Sequence, residues 1–317
     1  MGAGSSTDST RVSQAPSEAV SSRSAFLPEV QALRALAVLF VVLFHLWPKQ
    51  VTGGYIGVDV FFVISGFLIS SHLLKEVAET GGVRLVRFWA RRVRRLLPAA
   101  FLTLAVTLAC VFLFVPTDLW KPSLKEVAGS ALYVQNWVLA RASVDYFAED
   151  NAATAVQHYW SLAVEEQFYV IWPVLVLLTV LLLRRASIRV RTSGLAAGMA
   201  VVFAGSLAYS IHIAHSSQAA GYFSTFSHAW EFAAGGLLAM AYPRIATFVL
   251  AQGGAWRAAT SWVGWGVLVY SGLVFDGSTL FPGSAALLPT LGVVLVIAAG
   301  QTAVPWGPGA LVLARPV

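Results

Sequence analysis

Two side chains in the first apolar stretch, Val30–Trp47, are out of place for a segment of that character: Arg34 and His45, in an Arg-x10-His spacing. At about 100° and 1.5 Å per residue, a helix would project both from one face, separated by roughly 16 Å along its axis. A charge at bilayer depth costs at least a few kcal/mol and marks a functional position by default. Imidazole is a general base near neutral pH, and guanidinium is an anion clamp. A snorkelling Arg34 and a satisfied His45 would explain each residue singly; their shared face favours chemistry. Asp59, in Gly57-Val58-Asp59-Val60-Phe61-Phe62-Val63-Ile64-Ser65-Gly66-Phe67, enters the second stretch at about the depth of His45. It could fix one imidazole tautomer and leave the other nitrogen as a base, or simply cap its helix. Glu165 and Glu166 stand near the start of a later stretch and point about 100° apart, so one of them need face a cavity. An N-cap at Ser161 with both acids in the first turn is the alternative. The run Arg91-Arg92-Val93-Arg94-Arg95 suits a phosphorylated ligand, or serves as a topology signal held by anionic lipid.

These residues need elements to hold them, and composition says which. Of 317 residues, 57% are apolar and only 11% are charged, well below the ~25% charged of a soluble domain. The chain reads as an integral membrane protein. The +6 net charge does not indicate nucleic acid, because the basic residues punctuate apolar runs instead of forming a stripe. The single cysteine, Cys110, excludes a disulfide framework or a CxxC site. Residues 1–26, rich in Ser, Thr, Ala and Gly, are expected to be a disordered cytoplasmic tail.

Residues 27–317 are expected to form one all-α, polytopic transmembrane helix bundle. A span takes about 20 mostly apolar residues, and about eight stretches qualify: 30–47, 55–74, 96–115, 162–183, 194–213, 226–242, 258–275 and 285–303. The stretch 124–141 is too polar for lipid and is expected to be a re-entrant or interfacial helix. Lys75, Arg84, Arg87 and the Arg91–Arg95 cluster fall on one side. With them fall Arg184, Arg185, Arg189, Arg191, Arg244, Arg257 and Arg315. The acids Asp118, Glu126, Asp145, Glu149, Asp150 and Asp276 fall on the other. The Arg-rich side and the N-terminus are therefore expected to be cytoplasmic.

HExxH, GxSxG, Walker and His-x4-Asp patterns are absent, and no metal site is expected. Four motifs do occur in order: Arg34-x10-His45, the Gly57–Phe67 run, Arg91-Arg92-x-x-Arg95-x-x-Pro98, and Trp160-Ser161-Leu162-x-x-Glu165-Glu166-Gln167-Phe168-Tyr169. Together they resemble the acyltransferase family 3 membrane O-acyltransferases of bacterial cell-surface glycans, peptidoglycan and antibiotics. The resemblance covers about residues 26–317. It implies an acyl group, acetyl in the first instance, taken from cytoplasmic acyl-CoA and passed to a hydroxyl of a lipid-linked or cell-wall glycan. It assigns His45 as the catalytic histidine with Arg34 as motif partner, Arg92 and Arg95 as the pair near the donor beside Arg91, and Glu165 and Glu166 as the acidic motif. It implies residence in the inner (plasma) membrane. A last helix pair, and in some members a secreted domain, would follow Leu313-Ala314-Arg315-Pro316-Val317. Where the sixth stretch reads Phe226-Ser227-His228-Ala229-Trp230-Glu231, the family often has Arg in place of His228. The competing expectation is a proton-coupled transporter or channel with Arg34, His45, Asp59 and Glu166 as a relay; the absence of an internal repeat weighs against it.

Overall fold

The computed structural model describes residues 27–142 and 154–300. The tail 1–26, the acids Asp145, Glu149 and Asp150, and the end from residue 301, with Arg315 and the Leu313–Val317 stretch, lie outside the described residues. Among the described residues every regular element is an α-helix or a short 3-10 turn, as an apolar chain that must satisfy its own backbone hydrogen bonds in lipid requires.

The first helix, α1 (Pro28–Leu46), begins on a proline and has Glu29 in its first turn; both suit a helix N-terminus. It buries Val30, Leu33, Ala37 and Phe40, the 3–4–3 stripe of an amphipathic helix. A 3-10 turn, Gly54–Ile56, leads into α2 (Gly57–Thr80), which stops at Gly81 in the left-handed conformation, φ 76°. Next comes α3 (Leu85–Phe114), which carries the arginine cluster on its own early turns. The apolar stretch expected from Leu96 is thus the second part of one continuous helix, and the arginines are not in a loop.

The polar stretch 124–141 is two short helices, α4 (Trp120–Ala131) and α5 (Gln135–Ala142). They are broken at Tyr133, whose φ is 56°. Its polar groups find partners inside the protein. Asn136 donates to the Phe223 carbonyl and to Thr225 Oγ1, both at 3.0 Å. Gln167 donates to the Tyr133 carbonyl at 2.9 Å and to Asn136 Oδ1 at 3.0 Å. That network makes a polar segment tolerable at membrane depth.

Five helices continue the bundle: α6 (Tyr159–Leu182), α7 (Ile188–Ser216), the single-turn α8 (Gln218–Phe223), α9 (Thr225–Ala251) and α10 (Gly253–Val274). The last described helix is α11 (Leu287–Ala299). Among the described residues six helices are long and apolar enough to cross a membrane: α1, α2 with its preceding turn, α3, α6, α7 and α9. The expected seventh stretch is α10. The eighth is represented by α11, which at 13 residues is shorter than the ~20 of a full span. The expected count of about eight is therefore approximate.

The most extensive helix pair is α2 with α9. A Cβ on Gly66 would run into the Phe232 carbonyl oxygen, and one on Gly235 into that of Val63. Small residues at both positions let the two backbones meet.

Candidate active site

A cavity of about 180 Å³ lies between α1, α2, α3 and α6. Its polar wall is Arg34, Ser65, Arg92, Arg95, Glu165, Glu166 and Tyr169; Phe61, Ile64, Leu68, Leu96 and Leu162 complete it. Arg92 and Arg95 are three residues apart on α3 and so share a face. Arg91, about 100° round the helix, is absent from the wall and meets His72 Nε2 at 3.1 Å instead. The structure thus separates Arg91 from the two arginines with which it was grouped.

Glu165 accepts hydrogen bonds from the Ser65 and Tyr169 hydroxyls. Arg92 lies over the Tyr169 ring, 3.8 Å from its centroid, and 5.5 Å from that of Phe88. Stacking of this kind fixes the guanidinium plane and leaves its N–H donors in place. Among the described residues none of Arg34, Arg92 and Arg95 forms an ion pair with a carboxylate; Arg34 has a 3.4 Å contact to Gln31. Glu166 Oε1 is buried without a hydrogen-bond partner. Three arginines with donors to spare and two carboxylates therefore share one small cavity.

The capping explanation for the paired acids fails. The helix starts at Tyr159, its cap position is His158 with no side-chain cap, and Ser161 donates back to the His158 carbonyl at 3.3 Å. Glu165 and Glu166 are consequently in the second turn. Burial and the nearby His45 push the pKa of His158 down.

His45 does not line the cavity. It is exposed, its ring meets Phe44 edge-on, and Nδ1 is 2.7 Å from the Val41 carbonyl. A carbonyl only accepts, so Nδ1 carries a proton, and in the neutral ring the lone pair is on Nε2. The tautomer fixed is the one sought, but Val41 fixes it and not Asp59. Asp59 is turned into the α2–α9 interface, 1% exposed, with Oδ1 3.9 Å from His228 Nδ1. It stands in the first turn of α2, where an acid suits a helix N-terminus. Because Arg34 and Glu166 share the cavity while His45 is exposed and Asp59 is sealed, the four do not line one path, and nothing favours the relay.

Sequence reasoning assigned no role to Ser65 or Tyr169, although both are in the motifs. The available signal was Ser65, the ninth of eleven residues in a Gly57–Phe67 run whose other polar side chain is Asp59. Beside the cavity lies a larger apolar groove of about 580 Å³. It shares Arg92, Leu96 and Glu166 with the cavity and extends to Leu132, Tyr133, Val134 and Trp137.

An all-helical membrane bundle is what the acyltransferase resemblance implies, and comparison with known proteins supports the family. The family described as an acyltransferase domain, acyltransferase 3, matches residues 27–314. The chain belongs to this family. It is similar to a Staphylococcus aureus (strain COL) protein provisionally named an O-acetyltransferase, with 36% identity over 220 residues, 69% of this chain and 35% of that protein. It is also similar to the O-acetyltransferase OatA of S. aureus (strain NCTC 8325), with 40% identity over 151 residues, 48% of this chain and 25% of that protein. The aligned region thus spans about a third or less of these relatives. No solved structure matches the chain significantly.

Proposed function

We propose that the protein takes an acetyl group from acetyl-CoA and passes it to a hydroxyl of a cell-envelope carbohydrate, with His45 as general base. The observation that carries the reading is the cavity whose three arginines form no ion pair with a carboxylate among the described residues, beside Glu165 and Glu166. Guanidinium groups with free donors bind phosphate bidentately. In this reading Arg92 and Arg95, with Arg34, hold the CoA phosphates, Arg91 flanks the site without entering it, and the pantetheine arm runs along α1 toward His45. Nε2 of His45 accepts the hydroxyl proton as the alkoxide oxygen attacks the thioester carbon. The CoA sulfur leaves as a thiolate and takes that proton back from the His45 imidazolium, departing as the thiol. Glu165, held by Ser65 and Tyr169, and Glu166 shape the cavity's charge. The apolar groove beside the cavity suits the lipid portion of a lipid-linked acceptor. The Arg-rich ends would face the cytoplasm, which places donor binding on the side where acyl-CoA is made, in a plasma-membrane protein.

The test is incubation of the purified full chain with radiolabelled acetyl-CoA and cell-envelope fractions. Label appearing in envelope carbohydrate supports the reading; hydrolysis of the donor with no labelled carbohydrate contradicts it.

A further inference from the structure

Away from the cavity, three ionisable side chains meet at the starts of two helices. Asp59 is in the first turn of α2; His228 and Glu231 are in the first two turns of α9. They are 1%, 0% and 0% exposed. One potential ligand atom from each lies within 4.8 Å of the others. His228 Nδ1 is 3.1 Å from Glu231 Oε1 and 3.9 Å from Asp59 Oδ1.

The orientation of the imidazole is set from behind. His228 Nε2 is 2.9 Å from the Tyr222 carbonyl, which can only accept, so Nε2 carries a proton. That leaves Nδ1 as the nitrogen facing both carboxylates. A backbone carbonyl behind the ring is the usual way a protein aims a histidine ligand. Two carboxylate oxygens in the cluster, Asp59 Oδ1 and Glu231 Oε2, are buried with no hydrogen-bond partner among the described residues. The imidazole packs against aromatic rings, with Phe62 at 5.1 Å and Trp160 at 5.8 Å between centroids.

A second proton, on Nδ1, would give imidazolium paired to Glu231 and leave Asp59 Oδ1 without a donor. One nitrogen and two carboxylate ligands around a divalent ion use all three groups and cancel both negative charges at once. We propose that Asp59, His228 and Glu231 form a divalent transition-metal site that ties the start of α2 to the start of α9. This role is separate from acyl transfer.

The experiment uses the full chain, purified in detergent with a histidine-free tag, dialysed against zinc and then freed of unbound metal. Metal analysis should find about one zinc per chain in the wild type. H228R, which gives the two carboxylates a fixed positive charge but no ligand, should retain less zinc by about tenfold or more while staying folded. Chelator should lower the melting temperature of the wild type and leave that of H228R unchanged. D59N and E231Q should lose zinc in the same way. Zinc held equally by wild type and H228R would overturn the proposal, as would a wild type that retains none. If no variant folds, the zinc content of the wild type and its response to chelator decide.

Discussion

Two clusters of ionisable side chains among the described residues are held in different ways in this bundle. At the starts of α2 and α9, Asp59, His228 and Glu231 are sealed, and pack against one another, backbone and aromatic rings. Between α1, α3 and α6, the three arginines and two glutamates are only partly covered and surround space. The first arrangement holds helices in register. The second leaves guanidinium donors facing open space. Charge inside a membrane protein is therefore not enough to mark an active site; a cavity and unpaired donors are needed as well.

The comparison can be broken by substitution. The largest effect is expected from His45→Ala, which should lower acetyl transfer by about 10²–10⁴-fold with unchanged yield and melting temperature, because the side chain is exposed. Retained turnover would remove the base from the mechanism. Glu231→Ala should act on folding, losing about 3–5 kcal/mol of stability, as when one partner of a buried charged cluster is removed; thermal denaturation in detergent reads it. A well-folded variant would show that the cluster is not structural. Tyr169→Phe removes one hydroxyl from Glu165 and should cost about 1–3 kcal/mol in donor binding or stability. A KM for acetyl-CoA and a melting temperature both identical to wild type would exclude that role. Smallest is Arg91→Ala, which should leave KM within about twofold, in line with the modest worth of an exposed contact. A large rise would return Arg91 to the cavity.

Much of this was legible in the sequence. Apolar runs near span length marked α1, α2, α3, α6, α7 and α9, because lipid imposes one length scale on all of them. The i, i+3 spacing of Arg92 and Arg95 also held, since it depends only on helix geometry. What was not legible depended on distant chain segments. Asp59 looked available to His45 because both are near adjacent helix ends, but its partners come from α9. The paired glutamates looked like caps because the turns at 154–158 that start α6 early leave no periodic signal. The polar stretch 124–141 broke at Tyr133, whose positive φ no glycine announced.

The central claim is that the α1–α3–α6 cavity binds the phosphates of the acyl donor, and calorimetric titration of the purified chain with CoA tests it most directly. Wild type should bind. Arg92→Ala combined with Arg95→Ala, which removes charge-assisted hydrogen bonds worth about 1.5–3 kcal/mol each, should weaken binding by about a hundredfold or more and leave the fold intact. Equal affinity in the two proteins would contradict the account.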